Sequence, residues 1–180
     1  MKGVIFTQLI RHLEETGGEV FVDEVIVKAE LPNDGAFTSI GSYPAARALK
    51  LIETVSEITG QPAGVLAENF GEYLFGRFVV LYPEIIGRYA NAEDMLEHVG
   101  SHIHKEVVVL YPDAKPPQIR VSASAEHTTV HYSSHRPLAH IAYGLIRGCL
   151  KHYGDQRRLE WTGEGELSSA SFRIANTRES

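Results

Sequence analysis

The sequence lacks several features that would identify common functional classes. It contains no G-x-S-x-G, H-E-x-x-H or Walker pattern, so it carries none of the usual signs of a serine hydrolase, a zinc protease or a phosphate-binding loop. No apolar run reaches the ~18 residues of a membrane-spanning helix, and the N-terminus has no charged-then-apolar signal pattern. We therefore expect a cytoplasmic protein with no membrane partner.

Cysteine is almost absent. Cys149 is the only one, which excludes an internal disulfide. It falls on an apolar stripe of a predicted helix, and this placement favours a buried structural residue over a reactive thiol.

Neither sign of charge dominates. The formal net charge is −6 and the pI is about 5.8, which disfavours nucleic acid and anionic membranes as partners. A length of 180 residues predicts a single domain that can bury a sizeable core.

The patterning changes along the chain from helical to extended. Apolar spacing predicts helices over Val4–Glu15, Glu19–Ala29, Pro44–Thr59, Ala63–Leu81 and Ala92–Tyr111. Alternation then predicts strands at Ile119–Ser124, Thr128–Ser133, Leu159–Thr162 and Ser169–Ala175. Between the two strand pairs we expect one helix, with Pro137 in its first turn and its end near Tyr153, and Gly163–Gly165 is predicted to be a hairpin turn. The predicted fold is α+β: a helical subdomain beside a four-stranded antiparallel sheet that carries one helix.

Three hydrogen-bonding side chains recur at two-residue spacing in the run His-Tyr-Ser-Ser-His-Arg-Pro. Tyr132, Ser134 and Arg136 would point to one face of a strand. A guanidinium grips a carboxylate with two parallel hydrogen bonds, and two hydroxyls can donate to the remaining oxygens. The trio therefore suits a ligand with paired acid groups, such as heme with its two propionates. The alternative is that these residues only close an exposed strand before a turn.

The predicted helix before the strands contains three histidines on different faces. His104 borders an apolar stripe made of Leu96, Val99, Ile103, Val107 and Leu110, and Gly100, one turn away, would leave room for a flat group. His98 and His102 have the spacing of a two-point metal grip but lie on a polar face with no third ligand evident. For His104 both a metal ligand and a hydrogen-bonded core histidine remain open.

Together these segments resemble the heme-nitric oxide/oxygen binding (H-NOX) family, which includes stand-alone bacterial sensors and the heme domain of soluble guanylate cyclase. The start Met-Lys-Gly-Val-Ile-Phe is similar to the family's opening. His104 with the following Lys-Glu-Val-Val-Val-Leu-Tyr-Pro and Pro116-Pro117 resembles its proximal helix and loop, and Tyr132, Ser134 and Arg136 match its Y-x-S-x-R signature.

The resemblance implies heme b, sandwiched within the fold and not attached covalently, which agrees with the absence of a C-x-x-C-H sequence. It implies that His104 is the iron ligand, that Pro117 packs near the heme edge, and that residues 1–62 form the distal helical part while 63–180 carry the signalling helix and the sheet. By position the distal pocket maps to six apolar residues: Ile5, Leu9, Leu74, Phe78, Ile141 and Leu145.

Ile141 stands where oxygen-binding members of the family have a tyrosine. Bound oxygen takes up negative charge and needs a hydrogen-bond donor, whereas NO and CO need less help. We therefore expect a sensor that binds NO and CO, has no enzymatic activity of its own, and regulates a separate histidine kinase or a diguanylate cyclase or phosphodiesterase. The alternatives are an oxygen-binding or redox-sensing heme protein, a heme enzyme, and an apolar small-molecule binding module without iron.

Overall fold

The computed structural model describes residues 1–162 and 166–175, so the predicted turn at Gly163–Gly165 lies outside the described residues. Helices dominate the first part of the chain: α1 Gly3–Gly17, α2 Glu19–Ala29, α3 Ala45–Thr59, α4 Ala63–Leu81, α5 Pro83–Ile86 and α6 Ala92–His98. A π-helical segment, Val99–Ile103, leads into α7, His104–Leu110. The remaining elements are β1 Gln118–Ala123, β2 His127–Ser133, α8 Ala139–His152, β3 Arg158–Thr162 and β4 Ser169–Ala175.

The four strands form one antiparallel sheet in the order β1-β2-β4-β3. Side chains along β2 and β4 alternate between buried and more exposed, because the strand period of two sends successive residues to opposite faces. Helix α8 packs on the sheet through Tyr143, whose ring contacts Trp161 and Phe172. The α+β prediction is confirmed.

Two clusters of buried apolar side chains make up the core. The N-terminal core is built from α1 to α4 and one residue of α8: Phe6, Leu9, Leu13, Val22, Val25, Ala29, Leu31, Ala48, Leu51, Ile52, Val55, Ala67, Phe70, Leu74 and Ile141. The sheet core contains buried residues of α4 to α6, of two strands and of α8: Phe75, Ile86, Ala92, Met95, Leu96, Val130, Tyr132, Ala139, Ile146, Cys149, Leu150, Ala170, Phe172 and Ile174. Leu145 is partly buried against both cores.

Helices α4 and α8 contribute to both cores and pack against each other very closely. Gly71 and Gly144 face each other there, and a Cβ built on either glycine would meet backbone atoms of the other helix. Around this contact, Glu72 accepts hydrogen bonds from Arg147 at 2.6 Å and from Lys151 at 2.9 Å. The crossing is therefore a backbone-to-backbone contact surrounded by ion pairs.

The structure corrects the predicted helix Ala92–Tyr111, which is not continuous. The π-helical segment interrupts it, and of the five residues of the predicted apolar stripe only Leu96 is buried, while Leu110 is 64% exposed. The stripe assumed a constant α-helical repeat, and the wider turn of a π segment shifts that repeat.

The start of α8 also differs from the prediction. Pro137 was placed in the first helical turn, but Leu138 is the N-cap and Ala139 the first helical residue. Pro137 therefore precedes the helix. It follows a bend in the connection between β2 and α8, a kind of position in which proline is common.

Candidate functional site

His104 opens α7 directly after the π-helical segment. It lines an open cleft of about 670 Å³ together with Pro117 and Ile119. Gly100, expected to leave room for a flat group, has another role, because a Cβ there would collide with the backbone carbonyl of Ile119. The missing side chain thus lets the π segment lie against β1 and brings His104 beside the loop that precedes this strand.

The surroundings of His104 keep its ring neutral. Burial lowers its pKa, and the nearby backbone of Pro117 opposes this only in part. Its Nδ1 is buried, and no atom of the described residues lies in hydrogen-bond geometry with it. A neutral imidazole offers a nitrogen lone pair, which is the form that binds a metal, so a half-buried, incompletely paired ring fits an iron ligand.

His98 and His102 do not share that environment. The ring of His98 stacks on Tyr89 and its Nδ1 lies 2.7 Å from the carbonyl oxygen of Asp94, while Nδ1 of His102 lies 2.9 Å from the hydroxyl of Ser101. Within residues 1–162 and 166–175, no group of three or more histidine, cysteine or acidic side chains is placed to hold a metal ion.

His12 on α1 carries a second imidazole of this kind, which the sequence alone did not indicate. Burial lowers its pKa, and its Nδ1 has no hydrogen-bond partner among the described residues. Its ring packs on Tyr73, with centroids 4.5 Å apart, and lies 6.1 Å from Phe70. Only its spacing on the apolar side of α1 could have identified it. It lies within the helical layer and lines a groove with residues of α1 to α4, none of which belongs to the trio Tyr132, Ser134 and Arg136.

Tyr132, Ser134 and Arg136 converge, although not as a continuous strand. The ladder of β2 ends at Ser133, yet exposure still alternates, with Tyr132 buried, Ser134 and Arg136 half-buried, and the residues between them exposed. The Tyr132 hydroxyl donates to the Arg136 carbonyl at 3.3 Å, and the Arg136 backbone N–H donates to the Ser134 hydroxyl at 3.1 Å.

These contacts leave most of the trio's side-chain donors available. The Arg136 guanidinium donates one long hydrogen bond, 3.3 Å, to the Lys115 carbonyl, and none of the ion pairs among the described residues involves it. The Ser134 hydroxyl, having accepted one hydrogen bond, still has its own proton to donate. Burial raises the pKa of Tyr132, so its hydroxyl keeps its proton. The arrangement can therefore bind an anion.

The six predicted distal residues pack together in and around the N-terminal core. Leu9, Leu74 and Ile141 are buried, and the other three, Ile5, Phe78 and Leu145, are partly buried against that core. None carries a hydrogen-bond donor in its side chain. Tyr143, two residues from Ile141, donates its hydroxyl to the Leu159 carbonyl at 3.0 Å and so points toward the sheet.

The structure thus brings the site residues together in three groups and not in a single cavity. The cleft at His104 and Pro117 is lined by α7, the π segment, β1 and the loop before it, the trio lies at the end of β2, and the apolar six lie in and around the N-terminal core. The loop after α7 makes three contacts near these groups. The Lys115 carbonyl accepts from Arg136, and the Lys2 ammonium lies 2.6 Å from a carboxylate oxygen of Asp113 and 4.7 Å from the centre of the Tyr111 ring.

Comparison with known proteins found a matching family and solved structures that share this fold. Residues 2–160 match the haem-NO-binding family (HNOB). An unliganded Fe(II) H-NOX protein from K. algicida is 30% identical, with all of this chain and 99% of that one covered and a TM-score of 0.90. An H-NOX from Shewanella woodyi, solved in the Fe(II)CO state with IWP-051 bound, is also 30% identical, with 100% and 97% covered and a TM-score of 0.84.

A more distant H-NOX from S. oneidensis, in the Fe(II)NO state, is 22% identical over 97% of this chain and 98% of that one, with a TM-score of 0.86, and so shares the fold. Comparison with curated proteins gave no significant match. Among the described residues, no helix combines the length and apolar character needed to cross a bilayer.

Proposed function

This chain belongs to the haem-NO-binding (H-NOX) family, whose cofactor is heme, and we propose that it is a cytoplasmic sensor that binds NO and CO and excludes oxygen. In this proposal the protein is a binding module without catalysis of its own, and it acts on a separate effector. The proposal is supported by the residues that surround His104, by the trio and by the apolar distal group.

His104 is the proposed iron ligand. A bound heme would supply the ferrous iron that binds the gas, and His104 would be the side chain that attaches this iron to the protein. His104 enters this role as a neutral ring, because burial lowers its pKa. It is also the first residue of α7, so the bond to this one side chain would fix the start of the helix.

Tyr132, Ser134 and Arg136 are the proposed propionate-binding residues. Arg136 supplies the charge and the Ser134 hydroxyl a neutral donor. The Tyr132 hydroxyl would donate to a propionate only after exchanging its long hydrogen bond to the Arg136 carbonyl. Pro117 lines the cleft beside His104, where its rigid ring would limit the positions open to the macrocycle.

Gas selection rests on one observation, that none of the six apolar residues can donate a hydrogen bond. In a dry pocket a donor to a charge-bearing ligand contributes about 1.5–3 kcal/mol, which corresponds to about one to two decades of affinity. In a pocket without such a donor, bound oxygen lacks this stabilising hydrogen bond. The affinities for NO and CO depend less on such a hydrogen bond.

The proposed signal is the release of α7. The trio would hold the cofactor to the end of β2 while His104 holds it to α7, so loss of the second attachment frees the helix to move relative to the sheet. A ligand drives such a change only by binding the two arrangements with different affinity. By likeness to stand-alone members of the family, the effector is a histidine kinase or an enzyme of cyclic-di-GMP turnover.

The first test is the absorption spectrum of the purified, reduced protein, alone and with NO, CO or air. We expect a heme spectrum that changes with NO and CO and forms no lasting complex with oxygen. Protein that binds no heme would refute the whole proposal, and a persistent oxygen complex would refute the selectivity.

Tyr73 is the one hydroxyl that favours the alternative of oxygen binding. It neighbours Leu74, and its hydroxyl is buried with no hydrogen-bond partner among the described residues. It lines a groove with Glu15 and Arg77 that includes none of the six apolar residues, which argues against it. If an oxygen complex forms, Tyr73→Phe should abolish it only if this hydroxyl is the donor.

A further inference from the structure

Positive charge gathers around Arg136 in a chain whose net charge is −6. Desolvation first, and then the charges of Arg136, Lys115 and the Met1 α-ammonium, lower the pKa of His135. Burial first, and then Arg136 and Lys2, lower the pKa of the Met1 α-ammonium, and Asp113 opposes them. Several cationic groups therefore lie close enough to repel one another.

The nearby carboxylate does not neutralise this cluster. Asp113 already binds the Lys2 ammonium at 2.6 Å and the Ser42 hydroxyl at 2.8 Å. Neither Arg136 nor Lys115 forms an ion pair within the part of the chain that the structure describes. Like charges held together without a counter-ion destabilise a protein, so this arrangement favours a bound anion that carries more than one charge.

Lys115 is the member of the cluster best placed to act with Arg136. Its carbonyl accepts the 3.3 Å hydrogen bond from the Arg136 guanidinium, so its backbone lies directly beside that group. Pro116 and Pro117 follow it with restricted backbones, and Pro117 lines the His104 cleft. Its own side chain is exposed and long, and can turn toward a ligand at the mouth of the site.

A guanidinium that binds one carboxylate through its planar fork, with two parallel hydrogen bonds, leaves the other carboxylate without a cation of its own. Building on the function proposed above, we propose that Lys115 binds the second propionate of heme, so that Arg136 and Lys115 provide one cation for each carboxylate. Lys115 is then a specificity-determining residue for a macrocycle with two acid groups.

The test is the rate at which the full-length holoprotein loses its heme to an excess of apomyoglobin. Lys115→Gln should lose heme about two- to fivefold faster than wild type, the range for a partly exposed ion pair. Lys115→Arg should restore the slow rate, and Lys115→Glu should lose heme fastest. Lys50→Gln, which removes an exposed lysine on α3, is the matched control and should behave as wild type.

Two further measurements separate an ion pair from a structural effect. Added salt should accelerate heme loss in wild type more than in Lys115→Gln, because screening weakens a pair that the variant lacks. Protein loaded with hemin dimethyl ester, whose two propionates are neutral methyl esters, should show no difference in heme loss between wild type and Lys115→Gln.

An unchanged rate in Lys115→Gln, or a difference that persists with the diester, would overturn this inference alone. Wild-type protein that retains no heme at all would instead refute the proposed function.

Discussion

Among individual residues, His104 has a combination of properties that its neighbours on the same helices lack. It is half-buried, burial lowers the pKa of its ring, and its Nδ1 lacks a hydrogen-bond partner among the described residues. His12 shares these three properties but packs on aromatic rings inside the helical layer. Burial alone therefore does not identify the ligand, and what distinguishes His104 is its place in an open cleft beside the loop that contacts Arg136.

Replacing His104 by Gly should make heme binding depend on added imidazole. The substitution removes the ring but leaves the cleft, which small imidazole can enter to supply the missing nitrogen. Protein expressed with and without imidazole should be compared by its heme absorption per protein. His12→Ala, His98→Ala and His102→Ala are the controls and should retain heme without imidazole. If one of them loses heme while His104→Gly keeps it, the ligand has been misassigned.

Which site residues the sequence could reveal depends on how far apart they are along the chain. Tyr132, Ser134 and Arg136 lie within five positions, so strand periodicity was enough to group them, even though the strand ends at Ser133. The contact of Lys2 with Asp113 spans 111 positions. No local pattern indicates it, because it depends on how the completed fold brings the N-terminus to the loop after α7.

Among the elements, α4 and α8 depend most on small residues. Gly144 is buried, and a Cβ there would meet the backbone carbonyl of Glu68, whereas Gly76 on α4 is exposed with open space around its Cβ position. Both are helical glycines, so they share the same backbone propensity and differ in their surroundings.

Gly144→Ala should lower the free energy of unfolding by roughly 1–3 kcal/mol, the cost of overpacking. Gly76→Ala should raise it by about 0.5–1 kcal/mol, since alanine is the better helix former. Urea denaturation of both variants against wild type measures the two effects. Equal changes in the same direction would mean that the α4–α8 contact is looser than described.

The strands were predicted within about one residue, but their order was not predictable. Alternation marks a strand wherever one face is buried, and the bounds of β4 agree with the prediction. The order β1-β2-β4-β3 instead depends on pairing between residues far apart in the sequence, such as Val130 with Phe172.

Among the helices, the sequence did not predict the π segment. A hydrophobic pattern interpreted with one fixed period cannot show a local change of that period.

For the whole molecule, the loop after α7 is a second place, besides the α4–α8 contact, where the helical part and the sheet part meet. Asp113 binds Lys2 and Ser42 from the first part, and Arg136, from the second, binds the Lys115 carbonyl. Any movement of α7 must therefore strain or break contacts at both ends of this short loop.

We expect NO to increase amide hydrogen exchange in the segment 104–113 of the reduced holoprotein, because release of His104 frees α7 and the loop. Asp113→Asn should already exchange faster in this segment without NO, since it loses the ion pair with Lys2. Hydrogen–deuterium exchange read by mass spectrometry measures both effects. Asp23→Asn, at an exposed position of α2, is the control variant, and β4 should remain protected throughout. If NO leaves exchange in 104–113 unchanged, the signal does not pass through α7.

The π-helical segment has a consequence for the direction in which His104 points. An α-helix turns about 100° per residue, so in an unbroken helix residue 103 would face the same way as Leu96, and residue 104 would lie roughly 80° to one side. A π turn takes in one additional residue, which moves every later position back by one place. His104 thereby occupies the angle that residue 103 would have in an unbroken helix. The five residues Val99–Ile103 act as an angular offset, without which the imidazole would point roughly 80° away from the side of the helix on which Leu96 is buried.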